Sequence, residues 1–197
     1  MKIFTVRHGQ TFWNTEGRIQ GHTDIPLDET GIAQAEKLGA RLADEKVDII
    51  YTSDLLRAAR TAEIINGHHG AELVATPALR EISFGTYEGQ IYEEVHDDLR
   101  HYQYSVNTSI PGGESVSDYF DRICAFLDEI TTKSHRNITI VGHFGTVRAA
   151  ICYFLQIPIA ERDKFYIGNT AVHCFERGDD GKFAMTLEND TSHLNIN

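Results

Sequence analysis

Long apolar runs, cysteine and basic charge are all in short supply in this chain, and each shortage removes a class of protein. No stretch approaches the roughly 18 consecutive apolar residues of a membrane span, and the chain runs straight into a strand-like segment instead of a basic region followed by an apolar leader. A soluble, cytoplasmic protein is expected. Lysine and arginine total 18 against 29 acidic residues, for a formal net charge of −11. The average field repels nucleic acid and anionic membrane, so neither is an expected partner. An anionic ligand would need a local cationic pocket. The three cysteines, Cys124, Cys152 and Cys174, are too widely spaced for a zinc site or a redox dithiol, and reduced, buried thiols are expected. A metal protein is the natural rival for a chain with 10 histidines. None of them shows the i,i+4 helical pairing or the Cys/His spacing of a zinc site, so no metal or cofactor is expected.

What is present suffices for one well-buried domain: 197 residues, 41% of them hydrophobic and 24% charged, with no internal repeat. The patterning predicts strands at 2–6, 47–51, 72–75, 137–141, 172–175 and 183–187, the last two as a hairpin around Gly178 and Gly181. It predicts helices at 29–44 with Asp28 as N-cap, 54–65, 91–104, 116–130, and 146–155 with Thr146 as N-cap. Strands alternating with helices imply an α/β protein, a mostly parallel sheet covered on both faces. One domain over residues 1–197 is expected, with an excursion at about 86–114.

In such sheets ligands gather beyond the carboxyl ends of the strands. His8 follows the first strand and His143 follows the strand ending at Val141, each beside glycine: Gly9, and Gly142 with Gly145. Glycine permits tight turns and close backbone approach to a ligand. Arg7 supplies a permanently charged planar fork suited to phosphate, and Arg57 falls in the first turn of a helix that also follows a strand. Two arginines and two histidines then converge in an acidic protein, and a tetrahedral phosphate is the natural occupant.

Five ordered stretches carry a resemblance. They are Arg7-His8-Gly9 with Asn14, "GRIQG" at 17–21, "SDLLRAARTA" at 53–62, "LREISFGTYEG" at 79–89 and "VGHFGTVR" at 141–148. Together the chain resembles the histidine phosphatase, or phosphoglycerate mutase-like, superfamily, and within it the alpha-ribazole and broad-specificity phosphatases. The resemblance implies a three-layer α/β/α sandwich and metal-independent phosphoryl transfer through a phosphohistidine on His8. It assigns Arg7, Arg57 and His143 to the phosphoryl oxygens, Asn14 as an additional donor, Gln20 and Gly21 to the entrance, and Glu81 as the acid that protonates the leaving oxygen and later activates water.

Each residue has a plainer reading. Arg57 could pair with Asp54 at i,i+3 on its helix. Glu88 is a rival to Glu81 in similar polar context. Tyr87, Tyr92, Tyr102 and Tyr104 could wall a substrate, but packing is the expected role for at least half of them. The phosphate chemistry expects a protonated His143. Gln10 stands where many members carry glutamate, and Phe144 stands where some have glycine and narrows the pocket. The excursion holds Glu88, Glu93, Glu94, Asp97 and Asp98 against Arg100, which favours an open site and hydrolysis of a small phosphorylated metabolite. Phosphoglycerate mutase-type transfer and a noncatalytic phosphate-binding module are the alternatives. Oligomeric state is not legible.

Overall fold

The computed structural model describes residues 1–195; the last two residues of the expected domain lie outside the described residues. Four strands form a parallel core: β1 (Lys2–Arg7), β2 (Ile49–Ser53), β3 (Glu72–Thr76) and β4 (Asn137–Gly142). Antiparallel β5 (Val172–Arg177) and β6 (Phe183–Asp190) extend it, giving the order β3-β2-β4-β1-β5-β6. The mostly parallel α/β sheet is as expected, with the 5–6 hairpin closing through Gly178 N–H on the Lys182 carbonyl at 2.8 Å.

Helices cover both faces because the parallel strands are apolar on both sides. α2 (Glu29–Leu42) and α3 (Leu56–Asn66) bury Leu38, Leu42, Ala58, Ala62 and Ile65 against Phe4, Val6, Ile50 and Val141. α5 (Val116–Thr132) and α6 (Phe144–Leu155) bury Ile123, Leu127, Val147 and Ile151 against Ile3, Ile138 and Ile140 on the other face. The excursion carries α4 (Tyr92–Tyr104), which is anchored by one fully buried side chain, Leu99. A short helix that the periodicity did not reveal, α1 (Phe12–Thr15), is stabilised by a reciprocal cap between Thr11 and Asn14.

Two helix starts differ from expectation. Asp28 does cap α2, accepting the Gly31 N–H at 2.7 Å. Thr146 does not cap α6, because the helix begins two residues earlier, with His143 at the cap position and no side-chain cap bond. α3 begins after Leu55, so Asp54 lies outside it and pairs with Arg80 at 2.6 Å.

β1 and β4 run side by side in register, Arg7 opposite Gly142, and the His8 N–H donates to the Gly142 carbonyl at 2.9 Å. This pairing delivers both histidine loops to one edge of the sheet. β5 places His173 across from Thr5, fully buried, with neither ring nitrogen hydrogen-bonded. Burial pushes its pKa down to about 4. The unfolded chain titrates near 6.5 and so binds more protons between these values. The stability owed to neutral His173 is complete above that range and is lost as pH falls toward 4. Urea unfolding is expected to show wild type losing about 2 kcal/mol between pH 7 and 5 through this group, a component that His173→Leu should lack.

Candidate active site

The carboxyl edge of the sheet opens into a cavity of about 660 Å³. Arg7, His8, Asn14, Gln20, Gly21, Arg57, Glu81 and Phe144 all line it, and the His143 ring lies 5.2 Å from that of His8. The residues assigned to the site from the sequence are therefore brought together. Six arginines line the cavity (7, 18, 57, 100, 148 and 162) against two carboxylates, Glu81 and Asp163. The local sign is opposite to that of the protein as a whole, as an anion site in an acidic chain requires.

Hydrogen bonds settle the tautomers. His8 Nδ1 lies 2.7 Å from the Gly9 carbonyl, which can only accept, so Nδ1 carries the hydrogen and Nε2 keeps its lone pair. Burial and the charges of Arg57 and Arg7 hold this imidazole well below its usual pKa, in the neutral form. Arg57 Nε donates to His143 Nδ1 at 3.2 Å, which leaves the hydrogen of His143 on Nε2, a buried atom with no protein partner. Burial and Arg57 also depress the His143 pKa, so the expected protonated His143 is corrected to a neutral donor. A neutral Nε2–H can still donate to an anion.

Arg57 is 1% exposed, and its remaining nitrogens donate to the carbonyls of Gly21 at 2.7 Å and Thr23 at 2.9 Å. It makes no pair with Asp54. Arg7 donates from Nη1 to the Ile167 carbonyl at 2.8 Å while its buried Nε has no partner. Desolvation lowers both guanidinia to about 10, which leaves them charged at neutral pH. Asn14 Oδ1 accepts the Thr11 N–H at 3.1 Å, so its amide nitrogen is what it can offer a ligand. Gln20 is buried with Oε1 unpartnered. Phe144 stacks under Arg148, with 4.1 Å from guanidinium carbon to ring centroid.

The two candidate carboxylates separate cleanly. Glu88 accepts from the backbone N–H groups of His22 (2.9 Å), Thr23 (2.8 Å) and Phe84 (3.1 Å), and so braces the entrance loops. Glu81 lines the cavity, its Oε2 accepting the Gly145 N–H and its Oε1 the Ile82 N–H, both at 3.0 Å. A Cβ on Gly145 would collide with Glu81 Oε1, so only glycine lets the carboxylate approach this closely.

The sequence reading missed several supports. Asn169 Nδ2 donates to the His8 carbonyl at 3.1 Å, and the Thr170 N–H donates to that of Arg7 at 3.1 Å. The only local signal is the Gly168-Asn169 turn pair ahead of β5. Of the four tyrosines, Tyr92 and Tyr104 line the cavity, while Tyr87 and Tyr102 pack on each other and on the core. The acidic count of the excursion does not describe the cavity: Glu93, Glu94, Asp97 and Asp98 are exposed on α4, and of the charged residues named there only Arg100 lines the site.

Comparison with known proteins gives a consistent picture. The family description "Histidine phosphatase superfamily (branch 1)" matches residues 3–191. Phosphoglycerate mutase-like protein 4 of Arabidopsis thaliana is 36% identical, the match covering 98% of this chain and 86% of the relative. Phosphoserine phosphatase 1 of Hydrogenobacter thermophilus is 32% identical over 90% of this chain and 88% of its own. The crystal structure of phosphoserine phosphatase from Entamoeba histolytica in complex with 3-phosphoglyceric acid superposes with a TM-score of 0.86, at 32% identity and 98% coverage of both chains.

Gln10 is accounted for by α2. Its amide nitrogen donates to Asp28 Oδ2 at 3.1 Å, and its carbonyl accepts the Asp28 N–H at 3.1 Å. The side chain thus supports a helix cap instead of facing the cavity. Gln10→Glu would exchange this bond for two carboxylates in contact. It is expected to cost about 1 kcal/mol in urea unfolding at pH 7 while changing kcat less than about twofold, because neither Gln10 nor Asp28 lines the cavity.

Proposed function

The chain belongs to the histidine phosphatase superfamily, and we propose that it hydrolyses phosphomonoesters through a phosphohistidine on His8. The observation that carries this reading is the His8 imidazole itself: neutral, with Nδ1 tied to Gly9 and Nε2 left as nucleophile beside the buried Arg57 and the partly buried Arg7. In the first half-reaction His8 Nε2 attacks phosphorus, the ester P–O bond breaks, and Glu81 gives its proton to the departing oxygen. In the second, ionised Glu81 takes a proton from water as the water oxygen attacks phosphorus. The P–N bond then breaks, inorganic phosphate leaves and His8 recovers its lone pair.

Arg7, Arg57, His143 Nε2–H and the Asn14 amide stabilise the three equatorial oxygens, over which the transferring group spreads its charge. Gln20 and Gly21 border the entrance. Each half-reaction leaves the positive cluster in place, so electrostatic stabilisation requires no reorganisation at the moment of transfer.

Hydrolysis rather than mutase-type exchange is supported by what three of the four outer arginines do. A mutase must hold a substrate carboxylate as well as the phosphate. Here Arg148 is engaged by Asp163 and the Phe165 carbonyl, Arg162 by the carbonyls of Ile159 and Gln103, and Arg18 by Glu16 and the Gly89 carbonyl. The relatives named phosphoserine phosphatase match almost end to end. The substrate is a small phosphorylated metabolite, acted on by a single domain. Three unpaired cysteines suit a reducing compartment, and we place the protein in the cytoplasm.

The test is release of inorganic phosphate from an aryl phosphate, with His8→Ala as control. Wild type should turn over and acquire an acid-labile phosphoryl label, while the variant loses at least about a thousandfold in kcat/KM and takes no label. Turnover retained by the variant would sink the mechanism.

A further inference from the structure

Tyr119 lies on the face of α5 that periodicity assigns to the core, and its ring is 4% exposed. Its hydroxyl does something that core packing does not require. The oxygen is 3.2 Å from Glu81 Oε1 and 3.1 Å from Thr146 Oγ1, and Thr146 Oγ1 is 3.3 Å from the Leu79 carbonyl. This is the hydroxyl that was expected to cap α6; it is buried in a polar chain that ends on Glu81.

A phenol has one hydrogen to give, and here it has two acceptors within reach. With Glu81 ionised, the Tyr119 hydrogen points to Oε1, and Thr146 gives its own to Leu79 or to the phenol oxygen. With Glu81 protonated on Oε1, that hydrogen goes to the phenol oxygen, the phenol hydrogen turns to Thr146, and the Thr146 hydrogen goes to the Leu79 carbonyl. Both arrangements are reached by rotating two hydroxyls, with no displacement of carbon, nitrogen or oxygen atoms. The Ile82 and Gly145 N–H groups, by contrast, are fixed donors that cannot accept the carboxyl hydrogen.

We propose that Tyr119 is a positioning residue that holds the Glu81 carboxyl in one orientation through both of its protonation states, so that one group serves as acid and then as base. The inference rests on the phosphatase reading above. Burial and the neighbouring Glu81 carboxylate keep the phenol well above its usual pKa, so it retains its hydrogen at working pH. The charged groups around the pair are Arg122, whose guanidinium lies 5.1 Å from the Tyr119 ring centroid, and Arg7, Arg57 and Arg148, which act on Glu81 through space.

The discriminating experiment varies the leaving group. kcat/KM reports the transfer to His8, and only a poor leaving group needs a proton from Glu81 in that step. Tyr119→Phe is expected to lose about tenfold in kcat/KM on an alkyl phosphate but only about twofold on 2,4-dinitrophenyl phosphate, with KM little changed. The alkaline limb of its alkyl phosphate kcat/KM profile, the limb that an essential acid sets, should shift. Thr146→Val, which removes only the outer hydroxyl, is the second arm and should show the same leaving-group dependence at smaller amplitude. Equal losses on both esters with an unmoved pH profile, in whichever variant folds with a wild-type Tm, would overturn the proposal. A wild-type protein that turns over neither ester overturns the phosphatase reading and the inference with it, a result distinct from a flat variant profile.

Discussion

A guanidinium taken out of water without a carboxylate to meet it organises this structure. Among the described residues, the hydrogen-bond partners of Arg57 are two backbone carbonyls and one imidazole nitrogen, all neutral. Burying an unpaired charge costs several kcal/mol, so the fold carries a stored demand for an anion at this point. The same group fixes the tautomer of His143, sets the path of the 21–23 loop through its carbonyls, and helps keep His8 neutral. An isolated anion-binding loop could not do all of this. The sheet, α3 and the entrance loop must be in place together.

A second constraint concerns the proton. The groups that favour phosphate binding also favour an ionised carboxylate nearby, whereas the proposed first step calls for a carboxylic acid. The surroundings of Glu81 meet this conflict with a mixture of donor types. Two amide N–H groups define where the carboxyl sits, the bare Gly145 allows it to sit there, and a hydroxyl able to donate or accept completes the shell. Position is supplied by rigid groups and adaptability by a rotatable one.

Much of this was legible in the chain, for local reasons. Arg7, His8 and Gly9 stand out because charged and glycine residues interrupt a buried strand, and His143 repeats the pattern after β4. What stayed hidden lies where the local signal reports the wrong thing. The spacing of Val116, Tyr119, Ile123 and Leu127 says which side of α5 is buried, not what the oxygen at the tip of a buried tyrosine reaches. Thr146 looked like a cap because threonine favours caps, yet α6 starts at Phe144 without one. The supports at Asn169 and Thr170 are about 160 positions from the residues they hold, beyond any local pattern. Counting acids in the excursion misled because the exposed face of α4, not the cavity, carries them.

The strand order has a consequence for how such a site comes into being. β1 is the first strand in the chain, yet both of its neighbours, β4 and β5, are among the last. During synthesis the segment bearing Arg7 and His8 must wait with both edges unpaired until residues beyond 137 have emerged. Loop-closure entropy makes such distant pairings late events in folding. Partly made chains therefore hold Arg7 and His8 without His143 or the β4 and β5 backbone they pair with, and the cavity is complete only when the middle of the sheet closes.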